Sequence, residues 1–168
     1  MKPLVYIFIV SVLSVYSCNF KKQNVSFVGK WHRFSMQNGY TEFQFDSKDV
    51  VYFNQKTGRF KFEYKIENDS FKYVNHKYAA KFRFYGDSIC LNGNDGSTAT
   101  LYRYNEQEAP FANIPEEKDS LLFDSYVKGF DQRTVQAYEK AGFKFSEYQK
   151  ENVDTTQSFQ NILNMKDQ

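Results

Sequence analysis

From Phe27 to Asn105 the chain alternates between apolar and polar positions with a period of two. The clearest case is Arg59 to Glu67, RFKFEYKIE, where Phe60, Phe62, Tyr64 and Ile66 alternate with Arg59, Lys61, Glu63, Lys65 and Glu67. Successive side chains of a strand point to opposite faces, so this segment reads as a strand with one face buried and one in water. Phe43 and Phe45 alternate in the same way with Glu42 and Gln44, and Phe82 and Phe84 with Lys81, Arg83 and Tyr85. In the run from Val50, Val51 and Phe53 point one way, Val50 and Tyr52 the other, and Phe53 is assigned to the apolar interior.

Turn-forming residues punctuate these runs: Asn38-Gly39, Asp46-Ser47, Thr57-Gly58, Asn68-Asp69, Asn75-His76, Gly86-Asp87 and the cluster from Asn92 to Gly96. These breaks predict eight strands, over 27–36, 40–46, 49–55, 59–67, 70–75, 78–85, 88–92 and 97–105. Every connection is short, so neighbours in sequence pair antiparallel. A meander with one apolar face removes its exposed edges by closing, which predicts a mainly β chain: an eight-stranded antiparallel up-and-down barrel. The competing arrangement is an open or split sheet covered by the C-terminal segment.

Beyond Asn105 the pattern changes. Residues 106–118 carry Pro110 and Pro115 and read as a linker, followed over 119–168 by a short C-terminal helical extension. Asp119 or Ser120 is placed to cap a first helix carrying Leu122, Phe123, Tyr126, Val127 and Phe130. Asp131 is placed to cap a second, which Gly142 ends. Their apolar stripe suits either the barrel wall or a partner. The polar tail after Lys150 reads as a frayed helix or a mobile end.

The first strand, FVGKWHRFS, contains Gly29-Lys30-Trp31, and the last, ATLYRYN, contains Arg103. Over roughly residues 26 to 105 this resembles the lipocalins and small bacterial lipocalin-like domains, whose first strand opens with G-x-W. The resemblance implies that Trp31 plugs the closed end of the barrel, that Arg103 packs across its ring, and that Gly29 lets the strand bend inward. It also implies a cup for a small hydrophobic ligand, with Phe43, Phe60, Phe62, Tyr64 and Phe82 as lining residues. An eight-stranded barrel is just wide enough to be filled by its own side chains or to hold one small ligand. With Trp31, Phe45, Phe53 and Phe84 added to that lining, the expectation is a largely filled barrel with a shallow mouth.

The N-terminus carries a separate signal. Lys2 precedes an uncharged apolar run, PLVYIFIVSVLSVY, over residues 3–16. A membrane span needs about 20 such residues, so the run suits the core of a signal peptide over residues 1–17. It ends at Val15-Tyr16-Ser17-Cys18, which resembles a bacterial lipobox. That likeness implies cleavage before Cys18, acylation of its thiol by palmitate-type chains, and residues 18–26 as a lipidated tether. With no Asp directly after Cys18 and no acidic run there, the implied place is the outer membrane, facing the periplasm. An ordinary cut after Ser17, with Cys18 incidental, is the alternative.

Composition narrows the function. The formal net charge is only +2, and the leader takes Lys2 with it, so no basic field favours nucleic acid. Cys90 is the only cysteine besides Cys18, so stability rests on packing rather than on an internal disulfide. The chain has 18 Phe, 13 Tyr and one Trp for that packing. His32 points away from the barrel interior, His76 sits in a turn, and neither has metal-ligand spacing around it. There is no nucleophile elbow, no phosphate loop and no calcium loop in NGNDGS. The reading is a binding module without catalytic activity, metal or cofactor. It engages the membrane through its anchor and a small hydrophobic ligand at the barrel mouth. The other class is a protein–protein module, such as a periplasmic inhibitor, an immunity-type protein or an envelope-complex subunit, acting through the barrel wall or the C-terminal helices.

Overall fold

The computed structural model describes residues 26–104 and 113–145. The signal peptide, Cys18, most of the tether and of the linker, and the tail after residue 145 lie outside the described residues. The alternating runs form eight strands: β1 (Gly29–Ser35), β2 (Gly39–Phe45), β3 (Asp49–Asn54), β4 (Gly58–Glu67), β5 (Ser70–Tyr73), β6 (Ala79–Tyr85), β7 (Ser88–Gly93) and β8 (Thr98–Arg103). Each pairs antiparallel with the next. β8 returns to β1 through Trp31 opposite Arg103 and His32 opposite Tyr102, so the barrel is closed and no sheet edge remains.

Turn chemistry holds the register. Between Glu67 and Ser70, which pair directly, Asn68 and Asp69 both take positive φ, 46° and 59°. Two consecutive residues in that region make the two-residue hairpin that matches strand twist, and Asn and Asp tolerate it better than most side chains. In the turn between β2 and β3, the Asp46 carboxylate accepts from the Lys48 and Asp49 amides at 2.8 and 2.6 Å.

The interior expectation fails at Phe53. Phe45 pairs with Val50, so the inward set of β3 is Val50 and Tyr52. Phe53 lies opposite Glu42 and Arg59 on the outer wall. It is buried all the same, because the outer wall here faces a helix rather than water.

That helix, α1 (Ser120–Lys140), is continuous where two segments were expected. Asp131 caps nothing. It sits in the helix interior and accepts from Gln55 Nε2 at 3.3 Å, a tie to the end of β3. Asp119 precedes the helix without a side-chain cap, and Gly142, at φ 93°, follows its end. Tyr126, Phe130, Thr134, Val135 and Tyr138 form its buried face. Phe130 meets Phe53 edge-on at 4.7 Å and Tyr40 at 5.4 Å, and Tyr138 meets Phe34 at 4.7 Å. The apolar stripe of the helix is therefore occupied by the wall of β1 to β3. Its first turn is not: Leu121 and Leu122 are 83% and 60% exposed.

Three apolar clusters result among the described residues. One fills part of the barrel, and two lie between its outer wall and α1, around Phe130 and around Tyr138.

Candidate functional site

The two ends of the barrel differ. At one end the chain enters through Ser26, and Phe27 turns inside. Its ring packs against Phe45, Phe71, Phe82 and Phe84 with centroids 4.8–5.7 Å apart. Trp31, fully buried, donates its indole N–H to the Phe27 carbonyl at 2.7 Å. The Arg103 guanidinium lies 4.4 Å from the Trp31 ring and donates to the Ser26 carbonyl at 3.0 Å. Gly29 has φ 131°, and a Cβ there would stand 3.0 Å from Arg103 Nη1, so its missing side chain leaves room for the cation. Gly29, Trp31 and Arg103 thus meet at this end, and Phe27, at the head of the expected first strand, completes the plug.

The other end opens between the turns joining β1 to β2, β3 to β4, β5 to β6 and β7 to β8. A cavity of about 680 Å³ runs inward from it, with Phe43, Tyr52, Phe62, Tyr73 and Tyr78 among its walls and Phe45, Phe71 and Leu101 toward the plug. The barrel is therefore filled over one half only. Near the mouth the inward positions carry Arg33, Thr41, Asn54 and Ala99, which are smaller or more polar than phenylalanine and leave the space unfilled. Of the lining positions implied by resemblance, Phe43 and Phe62 border this cavity. Tyr64 and Phe82 pack around Phe27 in the filled half. Phe60 stacks on Tyr52 and Phe62 and is 39% exposed at the rim.

Hydrogen bonds hold the rim. Asn54 Nδ2 donates to the Tyr40 carbonyl and Thr41 Oγ1 at 2.9 Å and reaches the Asn38 carbonyl at 3.0 Å, while its Oδ1 accepts from the Lys56 amide. Two neighbouring turns are thereby tied together. Lys56 Nζ donates to the Gln37 carbonyl across the same gap.

Charge inside the cup comes from Arg33. It follows Trp31 by two residues and so shares its inward face. Its Nε is buried and has no hydrogen-bond partner among the described residues. The Tyr52 hydroxyl is pushed above its ordinary pKa by burial, with Arg33 opposing. Burial does the same to Tyr73, helped by the Tyr52 and Tyr78 hydroxyls and again opposed by Arg33. Both phenols are therefore neutral donors near physiological pH. Arg33, Lys56 and His76 border the cavity, and no Asp or Glu is among its described lining residues.

Outside the cup the Glu42 cluster is already engaged, while Arg59 Nε is buried on the outer wall without a hydrogen-bond partner among the described residues. On the outer wall Glu42 is fully buried and holds Tyr126, whose hydroxyl donates at 2.7 Å, and Arg133, which donates from Nε and Nη2. Burial, then the Glu42 charge, raises the Tyr126 pKa. Burial opposes the Arg133 charge, and Glu42 more than offsets that, leaving its pKa raised. A cavity of about 670 Å³ beside them, under the start of α1, is bordered by side chains so committed. A larger depression at the plugged end, about 1,070 Å³, mixes Lys48, Lys65, Glu63 and Glu67 around Phe27 and has no single-signed charge. His32 faces outward among Tyr40, Tyr102 and Tyr104, as its parity requires. His76 stands at the mouth beside Phe62 and Tyr73. Among the described residues no group of three or more His, Cys, Asp or Glu is placed to hold a metal.

Arg33, Tyr52 and Tyr73 were not singled out from sequence. Alternation carried the signal, since each lies two residues from an inward position, but their role depends on where the filling stops. No protein-family model matches the chain, and no curated protein matches it.

Proposed function

We propose that this chain is a lipid-anchored binding module of the cell envelope that holds one small hydrophobic molecule in its cup and performs no catalysis. The observation that carries the reading is the cavity of about 680 Å³, walled by aromatic rings and reached through a mouth of hydrogen-bonded turns. That volume lies within the roughly 300–1,000 Å³ range of small-molecule sites, and apolar walls with a few placed polar groups are their usual chemistry. The likeness of Gly29-Lys30-Trp31 and Arg103 to the lipocalin pattern supports the same role. The lipobox-like Val15-Tyr16-Ser17-Cys18 supports the anchor. Ser26 leaves the barrel at the plugged end, so a tether from Cys18 attaches opposite the mouth.

The test is fluorescence titration with N-phenyl-1-naphthylamine, a neutral apolar dye. Saturable binding at one site, lost in Ala99→Trp, is expected, because Ala99 borders the cup and an indole there fills it. Binding that survives Ala99→Trp locates the dye elsewhere and overturns the cup as the site. For the anchor, expression with radiolabelled palmitate is expected to label the wild type and not Cys18→Ser.

The protein–protein reading has one observation in its favour, the exposed Leu121 and Leu122 at the start of α1. Loss of a co-purifying envelope protein in Leu121→Ser/Leu122→Ser, with dye binding intact, would favour it.

A further inference from the structure

We infer that the molecule held in the cup is an anion: an amphiphile with one oxyanion head that pairs with Arg33 and an apolar body that lies against the rings below. The inference rests on the cup being a ligand site, and three features of that cup carry it.

The first is the orphaned donor. Arg33 Nε is buried and without a hydrogen-bond partner among the described residues, whereas the interior of a folded protein satisfies nearly all such groups. A guanidinium presents Nε and a terminal nitrogen as a planar fork, whose spacing matches the two oxygens of a carboxylate, sulfonate or phosphate. An oxyanion supplies the acceptor that Arg33 lacks.

The second feature is the sign of the charge. Arg33 and Lys56 border the cavity, and no described lining residue is acidic. The outer wall shows what pairing inside this protein looks like: Glu42 engages Arg133 with both oxygens. Arg33 has no such carboxylate among the described residues, and a bound cation would meet like charge in a partly desolvated space.

The third is the layout along the barrel axis. Arg33 lies on β1 two residues nearer the mouth than the plug residue Trp31, in one cross-strand row with Thr41 and the rim amide Asn54. The Tyr52 and Tyr73 hydroxyls feel its charge and are neutral, so they add donors and no competing anion. Toward the plug the walls become Phe43, Phe45, Phe71 and Leu101. A head group at Arg33 therefore places an apolar body on apolar surface, and the reverse orientation buries the charge among phenyl rings.

A pair of dyes tests this. 1-Anilinonaphthalene-8-sulfonate has the skeleton of N-phenyl-1-naphthylamine with a sulfonate added. The folded chain is expected to bind the sulfonate at least about tenfold more tightly than the neutral dye, the factor for one charge-assisted hydrogen bond. In Arg33→Gln that advantage disappears while the neutral dye binds within about twofold of wild type. Lys56→Gln, at the exposed rim, is expected to weaken sulfonate binding by no more than about threefold. Decanoate is expected to displace the sulfonate dye from wild type, and decyltrimethylammonium is not.

If both dyes bind equally, or Arg33→Gln leaves the sulfonate affinity unchanged, the anion inference fails and the cup remains a site for neutral molecules. If Ala99→Trp leaves both dyes bound, the cup itself is not the site, and both readings fall. Circular dichroism of each variant identifies any loss that comes from unfolding. Lys56→Gln keeps the inference falsifiable if Arg33→Gln does not fold: a loss there of tenfold or more places the head group at the rim and overturns Arg33 as its partner.

Discussion

The plugged and open ends of this barrel are made by the same eight strands with the same alternation, yet one is solid and the other hollow. At the plugged end the inward positions are mostly large rings or branched chains, and Phe27 enters ahead of β1 to fill the axis. At the open end the inward positions change to Arg33, Thr41, Asn54 and Ala99. Alternation decides which side of a sheet a residue faces, and side-chain volume at each level decides whether that side is a core or a cup. If the proposed function holds, stability and binding are separated along one axis: the plug packs one end, and the cavity at the other end is left for a ligand.

The strongest challenge to that contrast is truncation at the plug. Phe27→Ala removes a ring packed against five others and is expected to cost about 3–5 kcal/mol in urea unfolding. Tyr52→Leu, at the cup wall, is expected to stay within about 1 kcal/mol of wild type while changing dye affinity. Equal costs at the two positions would remove the distinction.

Arg133→Met is expected to cost about 3–5 kcal/mol, because Glu42 would remain buried beneath the helix without its guanidinium partner. Adding Glu42→Leu is expected to restore most of that loss. Failure of the double variant to recover would mean that the pair does more than neutralise itself.

Gly29→Ala has a smaller expected cost, roughly 1–2 kcal/mol, from the positive φ at that position. The new Cβ also pushes the Arg103 guanidinium from the Trp31 ring. Thermal melting reads the first effect, and altered Trp31 fluorescence, the only tryptophan signal in the chain, reads the second.

The smallest effect belongs to the turn between β2 and β3. The Asp49 and Lys48 amides hold the Asp46 carboxyl below its ordinary pKa of 3.8. A depressed folded-state pKa gives stability that is present above the unfolded value and lost as the pH falls through the folded one. The side chain is largely exposed, so Asp46→Asn is expected to cost only a few tenths of a kcal/mol, about 0.5 at most, at neutral pH. That difference should close as the pH drops below the carboxylate range.

Much of this could be read before folding, because neighbours in sequence enforce it. Eight strands, their turns and their closure follow from alternation and from residues such as Asn68-Asp69, whose backbone preference is local. The helix existed in the pattern as well, although Asp131 looked like a boundary. A capping residue ends a helix only where the chain has reason to stop, and here the continuing stripe from Phe130 to Tyr138 gains the barrel wall by going on. Phe53 was misplaced for a related reason: sequence assigns an apolar residue to a buried face without saying which of the clusters buries it.

The candidate site was less legible. Gly29, Trp31 and Arg103 lie far apart in the chain, and pairing of β8 with β1 brings them together. Phe27 opened the expected first strand on the parity of Gly29 and Trp31, but β1 begins only at Gly29, and the place of the Phe27 ring at the centre of the plug was not legible. Arg33 looked like an ordinary polar residue in a strand, and Glu42 like a solvated one. The sequence alone determined a closed sheet with an aromatic side, since a period of two and short turns leave few other ways to hide those rings. Only the tertiary structure decided that the aromatic side is half filled, that Glu42 is buried and paired, and that Arg33 faces a cavity without an acceptor. Volume, pairing and solvation belong to residues brought together across the barrel, and no window along the chain contains them both.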